Sequence, residues 1–440
     1  MIQKLLRPDL VNRFRQSVRD DGWHAAMTKA RRYSKLAVLG WGTSSHTAPS
    51  HGGIRYDDQY CARIWRVLAR EGAFHLSSPP AVRRTSRHIA LIADMNLPQC
   101  RKYRVEQLAE FWRSRGVDVT YSHYQDVARG VNSLQTATHL ILYRTPHTPT
   151  CSMYMYEARR LRLPILYDID DPLFSVSAYE TYQNMDAVDH AMKAHFCAEA
   201  PKYLDAMNCA DAVSVSTPGL VEHAKLYTQR PVFLRRNFAD IATLEAGAAA
   251  MRHAPAKVKK DGFTVAFASG SLGHEIDFAL IERQLAAFLN GGADRRLMIL
   301  GHFDKGRLPA SIKNKVATYA FTNYADYLER LAQANCAVMP LADDTFNRCK
   351  SAVRVLDASA VAIPSIVGSV GDMANVVAHG KTGFIAHTEA DWAAFLQKLM
   401  ADRTACAAMG AAAREDVERR WSGSREESII DPQLMQWVLE

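Results

Sequence analysis

FNRCKSAVRVLDASAVAIPSIVGSVGDMANVVAHGKTG, residues 346–383, combines a cationic helix start with a short strand and several glycines. The pattern predicts a polar loop, an amphipathic helix, a short buried strand, a glycine-rich turn, a second short helix and a glycine hairpin. Lys350, Arg354 and Asp357 lie at the loop exit and along the first helical turns, spaced by four and three residues. That spacing places their side chains near one helical face.

The chemistry of these three side chains predicts a ligand. Free N–H groups and the helix dipole already favour an anion at a helix N-terminus, and Lys350 and Arg354 strengthen that preference. Asp357, one turn further in, can accept hydrogen bonds from sugar hydroxyls. Cations for a diphosphate and a carboxylate for a hydroxyl together predict a site for a nucleotide sugar.

Length and composition set limits on the architecture and the partners. A chain of 440 residues with 48% apolar and 23% charged residues is typical of a globular protein with two or three domains. The net charge of +8 fits anionic substrates or an anionic membrane surface. Charge alone does not exclude nucleic acid, but nucleic acid is not a predicted partner.

The cysteines and the apolar runs indicate the compartment. The 8 cysteines include no CxxC pair and no cluster at zinc spacing, which favours a reducing compartment. The N-terminus lacks the apolar core of a signal peptide, and no run of about 18 apolar residues occurs. These features predict a cytoplasmic protein, soluble or peripheral at the inner face of the cytoplasmic membrane.

The N-terminal region differs from the rest of the chain. Within residues 1–40, Lys and Arg outnumber the acids, and Leu5, Phe14 and Trp23 are among the apolar residues between them. The pattern resembles a basic amphipathic element that could lie on anionic lipid. A solvated, partly helical extension packed on the main body explains the same pattern, because basic faces are common on surface helices.

From residue 88 onward, short β-rich runs alternate with helical segments. The predicted strands are 88–94, 117–121, 138–143, 164–170, 211–217, 231–236, 264–270, 296–301, 315–323, 336–341 and 363–369. Their apolar runs lack period-two alternation, as in parallel strands buried on both faces. The fold class is therefore α/β, with two doubly wound Rossmann-like domains and a ligand cleft between them at the carboxyl ends of the strands.

The motifs of both halves resemble a known family. The runs 355–402, ASGSLGHEIDF (268–278) and CAVMPLADDTFNRCKS (336–351) are similar to nucleotide-sugar glycosyltransferases of the GT-B architecture, close to the family-4 (group 1) enzymes of bacterial polysaccharide synthesis. PQCRKYRV (98–105), PILYDIDDPLF (164–174) and DAVSVSTPGL (211–220) add first-domain similarity.

The resemblance implies a domain plan and a reaction. The plan is a basic extension over 1–85, an acceptor domain over 86–240, an interdomain linker over 241–262, a donor-nucleotide domain over 263–425 and a C-terminal helix over 426–440 that can return to the first domain. The implied reaction moves a sugar from a nucleoside diphosphate sugar to a polysaccharide or lipid-linked glycan, with retention and without metal or cofactor.

Candidate site residues follow from the same comparison. The implied catalytic residues are Asp168, Asp170, Lys350 and Arg354. The implied donor-binding residues are Gly270, Ser271, Gly273, His274, Phe321, Asn323, Asn347, Ser351, Asp357, Gly371 and Asp372. The implied acceptor-binding residues are Tyr103, Arg104, Arg144, His147 and Asp171.

The sequence departs from the family pattern at one important position. The family usually carries two glutamates eight positions apart around the donor sugar, and here Cys349 and Asp357 occupy those positions. A shorter carboxylate can still bind a ribose hydroxyl, whereas cysteine is a poor substitute for a carboxylate that holds a hexose. Lys350, next to Cys349, is a candidate replacement.

The acidic triplet Asp168, Asp170 and Asp171 follows a predicted strand, and its charges repel one another. An acceptor-hydroxyl base or an acceptor-binding patch explains it, and a metal site is a weaker interpretation. A structural interpretation stays open, in which one Asp caps a helix and another pairs with Arg144 or Arg104.

Other functions are compatible with part of this evidence. A non-catalytic GT-B subunit that binds sugar nucleotides or scaffolds an assembly is supported by the Cys349 departure. A sugar-nucleotide epimerase or a phosphorylase keeps the fold, but no cofactor lysine for a phosphorylase is apparent. A dinucleotide-dependent dehydrogenase is disfavoured because DMNLPQC (94–100), and not GxGxxG, follows the first strand.

Overall fold

The computed structural model describes residues 86–254, 262–270 and 273–439, together with scattered residues between 14 and 31. The chain divides into two compact units, Met1–Arg63 and Ile64–Glu440. The described residues of the first unit are helical, and the rings of Phe14 and Trp23 meet edge-on at 5.9 Å. Most of the predicted extension over 1–85, and the donor-site candidate Ser271, lie outside the described residues.

The first Rossmann-like domain is built on a six-stranded sheet whose strand pairs are all parallel. Its strands are β1 His88–Ala93, β2 Asp118–His123, β3 His139–Tyr143, β4 Ile165–Ile169, β5 Ala212–Val215 and β6 Val232–Leu234, in the order β2-β1-β3-β4-β5-β6. The strands β3, β4 and β5 are buried along their whole length. This burial on both faces explains why their sequences lack alternation.

The second domain repeats the plan with a second six-stranded parallel sheet. Its strands are β7 Phe263–Gly270, β8 Arg295–Gly301, β9 Val316–Tyr319, β10 Cys336–Met339, β11 Ser365–Gly368 and β12 Gly383–Ala386, in the order β12-β11-β10-β7-β8-β9. The predicted α/β class with two doubly wound Rossmann-like domains is confirmed.

One local prediction in this domain is wrong. The residues predicted to form a glycine hairpin instead lead into β12, which pairs in parallel with β11 at the sheet edge. Gly383 permits this pairing, because a Cβ at that position would lie 2.3 Å from the carbonyl oxygen of Ser365. Gly380, with φ of 76°, makes the turn that precedes the strand.

Helices cover both sheets. Those of the first domain are Pro98–Cys100, the π-helix Arg101–Glu106, Gln107–Arg113, Val127–Thr136, Pro149–Arg160, Val176–Thr181, the 3-10 helix Gln183–Ala187, His190–Cys209 and Pro218–Lys225. The remaining helices are Ile241–His253, His274–Ala279, Glu282–Asn290, the 3-10 turns Lys305–Arg307 and Lys313–Lys315, Tyr324–Leu331, Thr345–Arg348, Val353–Ala360, Met373–Val376, Glu389–Ala401, Arg403–Arg420, Glu426–Ile429 and Pro432–Leu439.

The segment predicted as a linker, 241–262, begins as a helix. Asp240 caps the helix Ile241–His253 by accepting a hydrogen bond from the backbone N–H of Thr243. Ala250 is buried in a core cluster of the second domain. The alanine-rich segment that was predicted as a linker therefore provides a packing surface for the second domain. Residues 255–261 lie outside the described residues.

The C-terminal segment packs on the first domain. Leu434, Met435 and Val438, on the helix Pro432–Leu439, join the cluster that contains Ile89 and Leu91 of β1. The Nε2 of buried His139 at the start of β3 lies 3.1 Å from the carbonyl oxygen of Trp437. The first strand and the C-terminal helix of the described chain thus pack in one core cluster of the first domain.

This contact gives a pH-dependent prediction. Burial lowers the pKa of His139 from 6.5 to about 4, so the folded protein disfavours a proton that the unfolded chain binds below pH 6.5. Stability is therefore lost as the pH falls from 6.5 towards 4, by about 2 kcal/mol at pH 5. We expect urea unfolding at pH 7 and pH 5 to show a smaller loss for His139→Gln than for the wild type. Equal losses would contradict the assignment.

Candidate active site

A cavity of about 990 Å³ lies between the two domains. Ala268 of β7, Gly301 of β8 and Phe321, just beyond β9, line it from the second domain. Lys102 and Tyr103 line it from the first domain. Parallel sheets bind ligands beyond the carboxyl ends of their strands, and this cavity has that position in the second sheet.

Arg354 places a positive charge at the wall of the cavity. It lies in the first turn of the helix Val353–Ala360, and its Nη1 donates to the carbonyl oxygen of Ala268 at 3.3 Å. No ion pair within 4.0 Å joins Arg354 to a carboxylate in the described part of the chain. Burial lowers the pKa of its guanidinium, and the Asp277 carboxylate opposes that shift. A partly buried cation that forms no ion pair among the described residues fits an anionic ligand.

Lys350 contacts the opposite domain. Its Nζ lies 3.2 Å from Oδ1 of Asp171 and 4.7 Å from the ring centroid of Phe346. Burial by itself lowers the pKa of the ammonium, but the Asp171 carboxylate outweighs it, so the pKa is raised overall. Lys350 does not border the cavity, unlike Arg354. The two cations that the sequence groups together therefore have different partners.

Asp357 lines the cavity, but its carboxylate already accepts hydrogen bonds from tyrosines. The hydroxyls of Tyr103 and Tyr324 each donate to its Oδ1 at 2.7 Å. Only 4% of Asp357 is exposed, and burial raises the pKa of its carboxyl group. Tyr103, predicted to bind the acceptor, thus lies against the predicted donor carboxylate.

Phe321 and Asn323, two of the predicted donor-binding residues, both line the cavity, but their side chains have different roles. Phe321 is 51% exposed and stacks on His302, with centroids 6.1 Å apart. Asn323 caps the helix Tyr324–Leu331, because its Oδ1 accepts from the backbone N–H of Asp326 at 3.0 Å. Phe321 therefore keeps an open ring face for a ligand, whereas the amide of Asn323 has a structural role.

The donor candidate Gly273 contacts the first domain. Gly270 ends β7, and Gly273, with φ of 100°, precedes the helix His274–Ala279. A Cβ at Gly273 would lie 2.9 Å from the carbonyl oxygen of Asn184. The Nδ1 of His274 lies 2.7 Å from Asp277, which also accepts from Asn184 Nδ2 at 2.8 Å; burial lowers the His274 pKa. Sequence reasoning missed Asn184, which no motif distinguishes.

The remaining donor candidates lie at the contact between the domains. The amide of Asn347 donates to Asp344 at 2.9 Å. Ser351 accepts from Asn237 at 3.2 Å. Gly371 has φ of 76°, and the next residue, Asp372, is held by Arg236 at 3.0 and 3.2 Å. The Asn237–Ser351 and Arg236–Asp372 contacts join the two domains, whereas the Asn347–Asp344 contact lies within the second domain.

Two predicted residues of the first domain have a structural role. Asp168 and Arg104 have no exposed surface, and they form a two-point ion pair. Arg235 adds a contact to Asp168 at 3.4 Å, and Ser214 donates to it. A catalytic base or an acceptor contact must reach the substrate. The base prediction for Asp168 and the acceptor prediction for Arg104 are therefore withdrawn, and the alternative pairing with Arg104 explains Asp168.

The other charged residues of the first domain form a cluster at the carboxyl ends of β3 and β4. Arg144, whose φ is 52°, lies 3.3 Å from Asp170 and 3.8 Å from Asp171. Burial raises the pKa of Asp170, but Arg144 and Arg104 outweigh it, so the pKa is lowered. His147 Nε2 lies 2.9 Å from Ser152 Oγ. Asp170, Asp171 and Arg144 thus remain candidates near the cleft.

Cys349 does not replace the family's glutamate. It is 1% exposed and packs in an apolar cluster with first-domain residues. Its carbonyl oxygen accepts from Thr217 Oγ1 at 3.0 Å. Burial raises the pKa of the thiol to about 12, so the side chain is neutral at physiological pH.

Within residues 86–254, 262–270 and 273–439 and the scattered residues before them, no group of three or more His, Cys, Asp or Glu side chains is arranged to hold a metal ion. Over the same residues, no helix combines the length and the apolar character needed to cross a lipid bilayer.

Two Rossmann-like domains with a cavity between them, at the carboxyl ends of the second domain's strands, form the GT-B architecture. Residues 267–402 match the sequence model of the family described as Glycosyl transferases group 1. The resemblance predicted from the sequence is thereby confirmed, and the protein is an enzyme of the glycosyltransferase type. A search of curated proteins found no match to the chain.

Solved structures share the fold at low identity. The structure of Anabaena HepE in complex with UDP-glucose is similar with a TM-score of 0.51 and 13% identity, over 80% of this chain and 98% of that one. HepE with UDP and glucose gives a TM-score of 0.50 at 14% identity, over 80% and 99%. Sucrose-phosphate synthase from Thermosynechococcus elongatus gives 0.48 at 15%, over 77% and 96%.

Proposed function

We propose that the enzyme transfers a sugar from a nucleoside diphosphate sugar to a glycan or lipid-linked acceptor. The observation that carries the proposal is Arg354, a partly buried cation at the wall of a cavity of about 990 Å³ that forms no ion pair with a carboxylate among the described residues. The cavity is within the size range of small-molecule sites. HepE, which shares this fold, forms complexes with UDP and glucose and with UDP-glucose, and this supports a nucleotide sugar as the ligand.

The proposed chemistry needs a stabilised leaving group. Negative charge develops on the β-phosphate as the anomeric bond breaks, and a fixed cation offsets it most effectively where water is excluded. Arg354 and the N-terminal N–H groups of its helix supply that charge compensation, so no metal is needed in the proposal. Retention of the anomeric configuration is proposed from the family resemblance.

Lys350 is the second cation that the proposal assigns to the phosphates. The cleft must open to admit the donor, and opening separates Lys350 from Asp171 of the first domain. The released ammonium then becomes available to a phosphate oxygen. Asp170, Asp171 and Arg144 are the proposed acceptor-side residues. Membrane association through the basic extension stays a prediction, because that segment lies outside the described residues.

The Lys350–Asp171 pair gives a test of this role. We expect Lys350→Ala to lower kcat at least about tenfold, because it removes a charge that stabilises the transition state. Asp171→Asn removes the same ion pair but keeps the ammonium. Since Asp171 is also a proposed acceptor-side residue, the two variants are compared by nucleotide release without acceptor, where Asp171→Asn should lose less activity than Lys350→Ala. Equal losses in the two variants would assign Lys350 to domain contact alone.

The function itself is tested with a panel of nucleoside diphosphate sugars. Pure protein is incubated with each donor, with and without lipid-linked glycan acceptors, and nucleotide release is followed. Acceptor-dependent release from at least one donor is expected. Tight binding of a donor without turnover would favour the non-catalytic subunit, for which the neutral, buried Cys349 is the specific supporting observation. Conversion of the donor sugar without an acceptor would indicate an epimerase.

A further inference from the structure

Tyr103 reaches across the cleft from the first domain into the donor cavity. It lies on the π-helix Arg101–Glu106, a wide helical turn of the kind often found at functional sites. The side chain is 5% exposed, and its hydroxyl donates to Oδ1 of Asp357 at 2.7 Å. Tyr103 and Asp357 both line the cavity. A first-domain hydroxyl is therefore bound to the carboxylate that the proposed function assigns to the donor.

The oxygen of Asp357 that Tyr103 binds has further contacts. Tyr324 donates to the same Oδ1 at 2.7 Å, and the two tyrosine hydroxyl oxygens are 3.5 Å apart. The ammonium of Lys102 lies 4.2 Å from the ring centroid of each tyrosine. Its Nζ also donates to Thr243 at 2.6 Å. Oδ1 of Asp357 thus accepts from two phenols, and Tyr327 and the charge of Lys102 also act on the carboxylate.

The two tyrosines differ in which domain carries them. Tyr324 begins the helix Tyr324–Leu331, in the same domain as Asp357, so it stays in place when the cleft opens. Tyr103 belongs to the other domain and leaves with it. A phenol and a ribose hydroxyl each donate one O–H to a carboxylate. A ribose hydroxyl can therefore take the place of the Tyr103 hydroxyl without changing the number of hydrogen bonds.

We propose that Tyr103 determines donor affinity as an internal competitor, its hydroxyl occupying the position at Asp357 that a ribose hydroxyl of the nucleotide takes. The inference rests on the proposed nucleotide-sugar function. In the closed arrangement, Asp357 is held by the protein itself, and each binding event exchanges the Tyr103 bond for a ribose bond. The net free energy gained from the ribose hydroxyl is therefore small in the wild type.

Tyr103→Phe removes the competing hydroxyl and keeps the ring. Asp357 retains Tyr324, so the variant leaves no unpaired buried carboxylate. We expect the variant to bind UDP roughly five- to tenfold more tightly than the wild type, the gain for one hydrogen bond no longer exchanged. The same titration with 2′,3′-dideoxy-UDP should show no gain, because that nucleotide has no ribose hydroxyl for Asp357.

Isothermal titration calorimetry of the full chain with UDP and 2′,3′-dideoxy-UDP provides the test, with the ADP and GDP pairs used in the same way. Tyr182→Phe is the matched control, since Tyr182 is a first-domain tyrosine that stacks on Phe346 across the interface at 4.1 Å. It should leave the ribose-to-dideoxy affinity ratio unchanged.

Each other outcome has a definite meaning. Weaker UDP binding by Tyr103→Phe, unchanged binding, or equal gains for the ribose and dideoxy nucleotides would overturn the competitor role while leaving the proposed function intact. A gain of the same size in Tyr182→Phe would also overturn it, because the effect would then come from loosening of the interface. Failure of every nucleotide to bind would overturn the proposed function and this inference together.

Discussion

Arg354→Ala is expected to lower the turnover of a nucleoside diphosphate sugar by about 10²–10³-fold, the loss typical of removing one preorganised charge-stabilising group. The reason is the position of Arg354, which is partly buried at the cavity wall and donates to the carbonyl oxygen of Ala268. Arg354→Lys keeps the positive charge, but lysine cannot bind a phosphate through two parallel N–H donors as arginine can. An intermediate loss of turnover is therefore expected. Initial rates of nucleotide release measure the series.

Arg348→Ala is the matched control. Arg348 lies six residues before Arg354 and pairs with Asp343 where both side chains are 63% exposed. A solvent-exposed pair contributes little to stability, and turnover should remain near the wild-type rate. Near-normal turnover in Arg354→Ala, or an equal loss in Arg348→Ala, would mean that the phosphate site is assigned to the wrong residue.

Asp168→Ala is expected to reduce the free energy of unfolding by about 3–5 kcal/mol, the usual effect of removing one partner of a buried ion pair. Asp168 has no exposed surface and is the carboxylate shared by Arg104 and Arg235. Its removal leaves two buried guanidinium groups without that counter-charge. Urea or guanidinium unfolding at pH 7, monitored by circular dichroism, measures the change.

The same variant separates the structural role of Asp168 from the catalytic role that the sequence predicts. Asp170→Asn serves as the comparison, because Asp170 lies two residues away and keeps 14% side-chain exposure. It should destabilise the protein less. An Asp168→Ala protein of wild-type stability but without turnover would restore the catalytic assignment and contradict the structural one.

The fold could be predicted from the sequence because its signals are local. Apolar runs such as 138–143 and 164–170 lie where β3 and β4 form, since strands buried on both faces need only continuous hydrophobicity. The strand β12 was missed because a Thr-Gly-Phe segment also fits a turn. Its pairing with β11 depends on a close backbone approach at Gly383 that no local pattern encodes.

The site was predictable only where one segment carries it. Arg354 and Asp357 stand out because a single helix presents both to the cavity. Tyr103 is 254 residues away from Asp357 in the chain, and its place in the donor cavity follows from how the domains meet. Asp168 was misassigned for the same reason, since its partner Arg104 comes from a different element 64 residues away.

The central claim is that a nucleoside diphosphate binds with its phosphates at Arg354. A crystal structure of the protein with UDP, or with whichever nucleoside diphosphate the donor panel selects, tests it directly. The account predicts a diphosphate oxygen within hydrogen-bond distance of the Arg354 guanidinium and the nucleoside in the cavity beside Phe321. A nucleotide bound away from this cavity, or one whose phosphates do not contact Arg354, would contradict it.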